Sequence, residues 1–231
     1  MVIINGNLDL KRVDFSFVPS LKCNLECSFC SYKAGPLNKS KLRLSMAEKF
    51  LKTVDWKRIS SWGFYGGEPS INLKMYQDFV DLIPDSIPKF VITNGTWSNA
   101  WTETKRFLDF VWHNKLFVVV SGTEEHRRYQ NARVLKLFDG ISCFKMKGDD
   151  IIHPMGRAYK PDWTCSKKCL THPQPIRLCM FPGGHIALQN CDGIYPIIGD
   201  YEHDFDHIFK RAVSIRKKGC DKAGMNINYI L

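Results

Sequence analysis

The stretch Val13-Asp14-Phe15-Ser16-Phe17-Val18-Pro19-Ser20-Leu21-Lys22-Cys23-Asn24-Leu25-Glu26-Cys27-Ser28-Phe29-Cys30 decides how the chain is read. Val13 to Val18 is a short run rich in β-forming residues, and Pro19 and Ser20 then turn the chain into a loop. Three cysteines follow on that loop, separated by three and then two residues. Thiolates at this spacing can converge on one face of a loop, and iron–sulfur clusters are held by such thiolates. Zinc is the rival, although tetrahedral zinc sites more commonly use paired Cys-x-x-Cys units or Cys/His mixtures, and no fourth ligand is near in sequence. Three ligands on a four-iron cluster would leave one iron open to an external molecule.

Outward from this stretch, apolar runs alternate with amphipathic ones, the mark of βα units around a parallel sheet. Strands are expected at Val13 to Val18, Ile59 to Tyr65, Lys89 to Thr93, Leu116 to Ser121 and Ile141 to Met146. The continuous run Phe117-Val118-Val119-Val120 suits a strand covered on both faces. Helices are expected near Ser45 to Lys57, Asn72 to Ile83, Ser98 to His113 and Glu124 to Phe138. Ser45-Met46-Ala47-Glu48 has the capping-box spacing, and Leu73, Tyr76, Phe79, Val80 and Ile83 form one apolar stripe that Pro84 ends.

Beyond about residue 150 the texture changes, with Pro154, Pro161, Pro173, Pro175 and Pro182 interrupting the chain and Cys165, Cys169, Cys179, Cys191 and Cys220 concentrated there. His185 to Leu188, the Asp192-Gly193 turn and Ile194-Tyr195 read as a hairpin, and a helix is expected at Asp204 to Lys217. Residues 159–231 read as a small separate module whose modest core calls for a metal staple.

Composition bounds these readings. The chain has 231 residues, 44% of them apolar and 24% charged, enough for one core plus a small appendage. No run of about 18 apolar residues and no basic leader occurs, so neither a membrane span nor a secretory signal is expected and the location reads as cytoplasmic. Thirty-three Lys plus Arg against 23 Asp plus Glu leave a charge of +10, which favours anionic partners such as nucleic acid or an acidic redox protein. Nine cysteines cannot all pair within one chain, and their clustering points to metal or redox chemistry.

The Cys23, Cys27, Cys30 loop after a first strand, with Phe29 just before the third cysteine, resembles the radical S-adenosylmethionine enzymes. Three further segments match in order. Tyr65-Gly66-Gly67-Glu68-Pro69 closes the second strand and is similar to the family's Gly-Gly-Glu-Pro segment, which binds the amino group of the methionine moiety; glycines permit close backbone approach and the acid complements an ammonium. Thr93-Asn94-Gly95 ends the third strand. Ser121-Gly122 with Glu124, Glu125 and His126 follows the fourth, where His126 resembles the histidine of a family Asp-Gly-x-x-x-x-His segment whose aspartate is absent here. Such loops, at the carboxyl ends of parallel strands, are where these folds bind ligands. Arg157, in Pro154-Met155-Gly156-Arg157-Ala158, resembles a segment that ends the barrel and could reach a carboxylate.

The resemblance covers residues 13–158 and implies an α/β fold, a partial parallel (β/α)6-type barrel over residues 1–158, although only five of its strands can be placed. It implies a [4Fe–4S] cluster on Cys23, Cys27 and Cys30, with S-adenosylmethionine on the open iron. Phe29, Gly66, Gly67, Glu68, Pro69, Thr93, Asn94, Ser121, His126 and Arg157 would surround that cofactor. The implied reaction is reductive cleavage to a 5′-deoxyadenosyl radical that abstracts hydrogen from a substrate, with flavodoxin or ferredoxin as electron donor.

Cys179, Gly183-Gly184 and Asp192-Gly193-Ile194-Tyr195-Pro196 resemble the twitch or SPASM extension of the same superfamily, although Ile197 stands where that pattern commonly has cysteine. Cys165, Cys169, Cys179 and Cys191 are the implied ligands of a second, auxiliary iron–sulfur cluster, with structural zinc on the same thiolates as the alternative. The extension suggests a peptide, protein or amino-acid derivative as substrate. The basic stretch from Lys210 to Lys222 suits a nucleic-acid base or nucleotide instead. A third reading, a non-catalytic iron–sulfur or zinc module, leaves an ammonium-binding loop without a use.

Overall fold

In the computed structural model, residues 12–147, 175–189 and 196–218 are described. Five strands, β1 (Val13–Phe17), β2 (Ile59–Phe64), β3 (Lys89–Thr93), β4 (Phe117–Val120) and β5 (Phe144–Met146), lie side by side and parallel in sequence order. On the far side of β1, β6 (Ile176–Met180) pairs parallel to it, and β7 (His185–Leu188) and β8 (Ile197–Asp200) follow antiparallel. The result is one sheet in the order β5-β4-β3-β2-β1-β6-β7-β8. The first five strands answer to the parallel sheet of βα units expected from the alternation. The next described strand joins β1, and the C-terminal strands thereby continue the same sheet.

Helices α1 (Leu44–Leu51), α2 (Leu73–Val80), α3 (Trp101–His113), α4 (Glu124–Arg127), α5 (Ala132–Lys136) and α6 (Phe205–Lys218) connect or follow the strands. Three local expectations are corrected. Ser45 caps nothing: α1 begins at Leu44, with Arg43 at the N-cap and no side-chain hydrogen bond there. The helix expected to reach Lys57 stops at Leu51, and a separate 3-10 turn at Trp56–Arg58 starts on Asp55, whose carboxylate accepts from the Lys57 N–H. The helix expected from Glu124 to Phe138 is two pieces, because the Asn131 side chain accepts from the amides of Arg133 and Val134 and restarts the helix. β7 pairs with Ile197–Asp200, and the Asp192-Gly193 turn and Ile194-Tyr195 lie outside the described residues.

Strand alternation sorts side chains onto two faces. Phe15, Phe17, Trp62, Phe64, Leu178 and Met180 point toward the helices and build the main core, with Phe15 stacked on Trp62 at 4.6 Å between centroids. Each such ring contributes roughly 1.5–3 kcal/mol on burial. Phe205, Ile208 and Ala212 of α6 enter the same core, which fastens the C-terminal strands to the first five. The opposite face carries smaller groups. Ser16, Gly63 and Phe90 are in register across β1, β2 and β3, and a Cβ on Gly63 would stand 2.4 Å from the Phe90 ring. That missing side chain lets Phe90 lie across the sheet and keeps this face shallow below the strand ends where the cysteines sit.

Candidate iron–sulfur site

The cysteine loop is built on hydrogen bonds that return it to the strand end. Leu21 N donates to Ser40 O at 3.0 Å, Gly35 N to Leu21 O at 3.1 Å and Cys23 N to Gly35 O at 3.1 Å. Within it, Cys30 N donates to Cys27 O at 3.2 Å, and Lys33 adopts a left-handed φ of 49° to close the turn. All three thiols therefore sit on one rigid excursion at the carboxyl end of β1.

The Gly66-Gly67-Glu68-Pro69 segment is welded to this excursion. Gly67 N donates to Ser20 O at 2.7 Å and Glu68 N to Lys22 O at 3.0 Å, directly before Cys23. A Cβ on Gly67 would fall 1.8 Å from Lys22 O, and one on Gly66, at φ +137°, 2.5 Å from Ser20 O. Both glycines are needed where one backbone lies against another. Glu68 is buried, and its carboxylate accepts from Ser70 N at 3.0 Å, Thr93 Oγ1 at 2.7 Å and Asn94 N at 2.7 Å. Burial pushes this carboxyl up, and the donors from Asn94, Thr93 and Ser70 oppose that. In this structure the acid ties the end of β2 to the end of β3.

Asn94 carries the link onward. Its Nδ2 donates to Asn24 Oδ1 at 2.9 Å and toward Cys23 Sγ at 3.7 Å, while Asn24 Nδ2 donates to Thr96 Oγ1 at 2.8 Å. Gln130 Nε2 donates to Asn94 O at 2.7 Å and Ser121 O at 2.6 Å, joining the ends of β3 and β4. On the other flank, Glu125 accepts from Ser28 N at 3.2 Å and Ser28 Oγ at 2.9 Å. His126 stands 3.6 Å from Cys27 Sγ through Nε2, and Phe29 meets the His126 ring edge-on at 5.4 Å. Cys23, Cys27, Cys30, Phe29, Glu68, Thr93, Asn94, Ser121 and His126 are thus brought to one end of the sheet.

Arg157, Cys165, Cys169 and Cys191 lie outside the described residues. Cys179, in β6, is fully buried beside Val18, Tyr65, Phe181 and Ala187; burial pushes its thiol up, partly countered by a hydrogen bond with Tyr65. Asn24, Thr123 and Gln130 were not singled out from the sequence. A polar residue between ligand cysteines marks Asn24, whereas nothing local marks Gln130, whose two acceptors come from different strands.

The donors around the sulfurs test the fit to a cluster. Leu25 N donates to Cys23 Sγ at 3.4 Å and Ala34 N to Cys30 Sγ at 3.3 Å, besides Asn94 at Cys23, and the His126 ring nitrogen faces Cys27. N–H groups aimed at sulfur suit electron-rich cluster thiolates, whose potential such bonds tune. Among the described residues no three His, Cys, Asp or Glu side chains converge closely enough for a single metal ion. A four-iron cluster takes each thiolate on a different iron, so it needs them apart. The N–H donors at the Cys23 and Cys30 sulfurs fit a cluster of this kind.

Burial, reinforced by Glu68 and Cys30, pushes the Cys23 thiol up to about 11; burial, then Glu125 and the other two cysteines, pushes Cys27 up to about 12. Both groups hold their protons more tightly folded than unfolded, where the value is 9.0. Their contribution to stability is complete below pH 9 and is lost as pH rises through about 11 and 12. The metal-free protein should show this as a falling Tm in that range, flattened in a Cys23→Ala/Cys27→Ala variant. Loading iron must release these protons, so acid opposes cluster assembly.

Over residues 15–138 the chain matches the 4Fe-4S single cluster domain family. It belongs to that family. The [4Fe–4S] cofactor expected from the cysteine loop follows from this membership. Among solved structures, the 4Fe-4S chain is similar to BtrN in complex with AdoMet and 2-DOIA, with a TM-score of 0.59 and 13% identity over 89% of this chain and 85% of that one. It is also similar to native anSMEcpe with bound AdoMet and Kp18Cys peptide, with a TM-score of 0.50 and 14% identity over 92% and 86%. No curated protein matches. The fold is that of the radical S-adenosylmethionine enzymes, as the resemblance in the cysteine loop implied. No helix among the described residues is long and apolar enough to cross a membrane.

Proposed function

We propose that this 4Fe-4S protein is a radical S-adenosylmethionine enzyme that abstracts hydrogen from a peptide or amino-acid derivative. The observation that carries the reading is the set of N–H donors at the sulfurs of Cys23 and Cys30, on the three-cysteine loop locked to the Gly66-Gly67-Glu68 segment. A purely structural metal loop has no need of this coupling across β1, β2 and β3. When bound, the cluster supplies the electron that cleaves S-adenosylmethionine to methionine and a 5′-deoxyadenosyl radical.

The chain's own residues do the positioning. Glu68 fixes Thr93 and Asn94 beside Cys23, and Gln130 holds the neighbouring Ser121 carbonyl. Tyr32, stacked on Tyr65 at 5.9 Å, packs against the apolar cluster that also holds Cys23 and Cys30. A peptide-type substrate is favoured over nucleic acid because the basic stretch on α6 is partly spent internally. Lys210 pairs with Asp206, and Arg211 Nη1 donates to Ile198 O at 3.2 Å. An auxiliary cluster on Cys165, Cys169, Cys179 and Cys191 and electron delivery by a flavodoxin or ferredoxin belong to the same reading.

The test is anaerobic incubation of reconstituted, dithionite-reduced protein with S-adenosylmethionine, measuring 5′-deoxyadenosine. Release above the no-protein rate is expected. No release from protein carrying a full cluster would overturn the reading. Deuterium appearing in 5′-deoxyadenosine from deuterated peptides, and not from deuterated oligonucleotides, would support the substrate class.

A further inference from the structure

His126 sits where its ring can act on the cluster through a ligand sulfur. Its Nε2 lies 3.6 Å from Cys27 Sγ, and its Nδ1 lies 2.8 Å from Thr123 Oγ1. Thr123 is the N-cap of α4, and its hydroxyl oxygen already accepts from His126 N at 3.4 Å. A threonine hydroxyl has one proton to give. A cluster-bound Cys27 sulfur can only accept, so a bond from Nε2 needs the ring hydrogen on that nitrogen, and Nδ1 is then the nitrogen that accepts the Thr123 hydroxyl proton. The ring hydrogen is left on Nε2, facing sulfur.

The ring is held against rotation and drift. Phe29 packs edge-on against it at 5.4 Å, with an interplanar angle of 82°. One residue earlier in the helix, Glu125 clamps both N and Oγ of Ser28, which lies between Cys27 and Phe29. The cysteine loop and α4 are therefore docked as a unit, and the distance from Nε2 to Cys27 Sγ is set by the scaffold.

We propose that His126, oriented by Thr123, donates an Nε2–H hydrogen bond to the Cys27 thiolate and raises the reduction potential of the cluster. This rests on the cluster assignment above and goes beyond a contact with S-adenosylmethionine. A donor at a ligand sulfur stabilises the more electron-rich, reduced cluster over the oxidised one. His126 is thus a positioning and tuning residue rather than one that touches substrate. Its counterparts, the amides at Cys23 and Cys30, belong to the backbone and cannot be altered by substitution as directly.

The experiment is a potentiometric titration followed by electron paramagnetic resonance, on reconstituted full-length protein without S-adenosylmethionine. His126→Phe should keep its iron and sulfide but titrate at a lower potential than the parent. His126→Gln, which retains an N–H donor, should recover part of the shift. Thr123→Val, which keeps the imidazole but releases its tautomer, should fall between. Unchanged potentials in both His126→Phe and Thr123→Val would overturn the proposal, as would an equal downward shift in His126→Gln and His126→Phe. If His126→Phe fails to assemble, the Gln and Val variants decide alone. A parent protein that takes up no four-iron cluster would instead refute the assignment on which the proposal stands.

Discussion

Cys27→Ala protein, reconstituted without oxygen, is expected to lose the catalytic cluster and to release 5′-deoxyadenosine only at background, while its far-ultraviolet circular dichroism stays at the parent value. Cys27 projects from a loop held by backbone hydrogen bonds at Leu21, Cys23 and Gly35, so truncating its side chain leaves those bonds in place. The main core of Phe15, Phe17, Trp62 and Phe64 lies on the opposite face of the sheet and is untouched. Iron analysis checks the result. If the C-terminal cysteines hold their own cluster, iron falls from about eight to about four per chain. If they hold none, it falls from about four to about zero.

Gly67→Ala is expected to be as damaging by a different route. The added methyl would stand 1.8 Å from Lys22 O, a backbone atom that cannot swing aside. Relief requires separating Gly67 and Glu68 from Ser20 and Lys22, which breaks two backbone hydrogen bonds immediately before Cys23. Overpacking of this kind costs roughly 1–3 kcal/mol and each lost bond about 1 more. A loss of roughly 3 kcal/mol lowers the Tm by about 6–12 °C in a chain of this size. Cluster uptake should fall as well, because the cysteine loop loses its footing. Calorimetry and iron content measured on the same sample check both effects, and a Tm within a degree or two of the parent would refute the argument.

These two residues also show what the sequence made legible. The three cysteines and the Gly66-Gly67-Glu68-Pro69 segment were read at once, since chemistry of this kind is written in local spacing. Their internal logic was not. The glycines permit close backbone approach, and the segments they admit are Ser20 and Lys22, while Glu68 accepts from Ser70, Thr93 and Asn94. Which distant segment touches which is a property of the tertiary fold, and no periodicity encodes it.

The same distinction runs through the fold. β1 to β5 were legible because each is an apolar run bounded by turn residues. β6, with alternating Ile176, Leu178 and Met180, carried the right pattern but stood among prolines, which directed attention to an independent module. Ser45 fails as a cap because α1 begins at Leu44, two residues before a helix capped by Ser45 would, so tertiary context overrides a local signal. The Glu124 to Phe138 helix broke at Asn131 because a side chain competing for backbone amides restarts the turn. Gln130, which spans Asn94 and Ser121, had no sequence signature, being defined by two strand ends brought together.

The most direct measurement is the electron paramagnetic resonance spectrum of the reduced, reconstituted protein before and after adding S-adenosylmethionine. The account predicts a reduced four-iron cluster signal that changes shape when S-adenosylmethionine is added and is missing from the Cys27→Ala variant. A signal unaltered by S-adenosylmethionine, or one that persists in full when Cys27 is replaced, would contradict it.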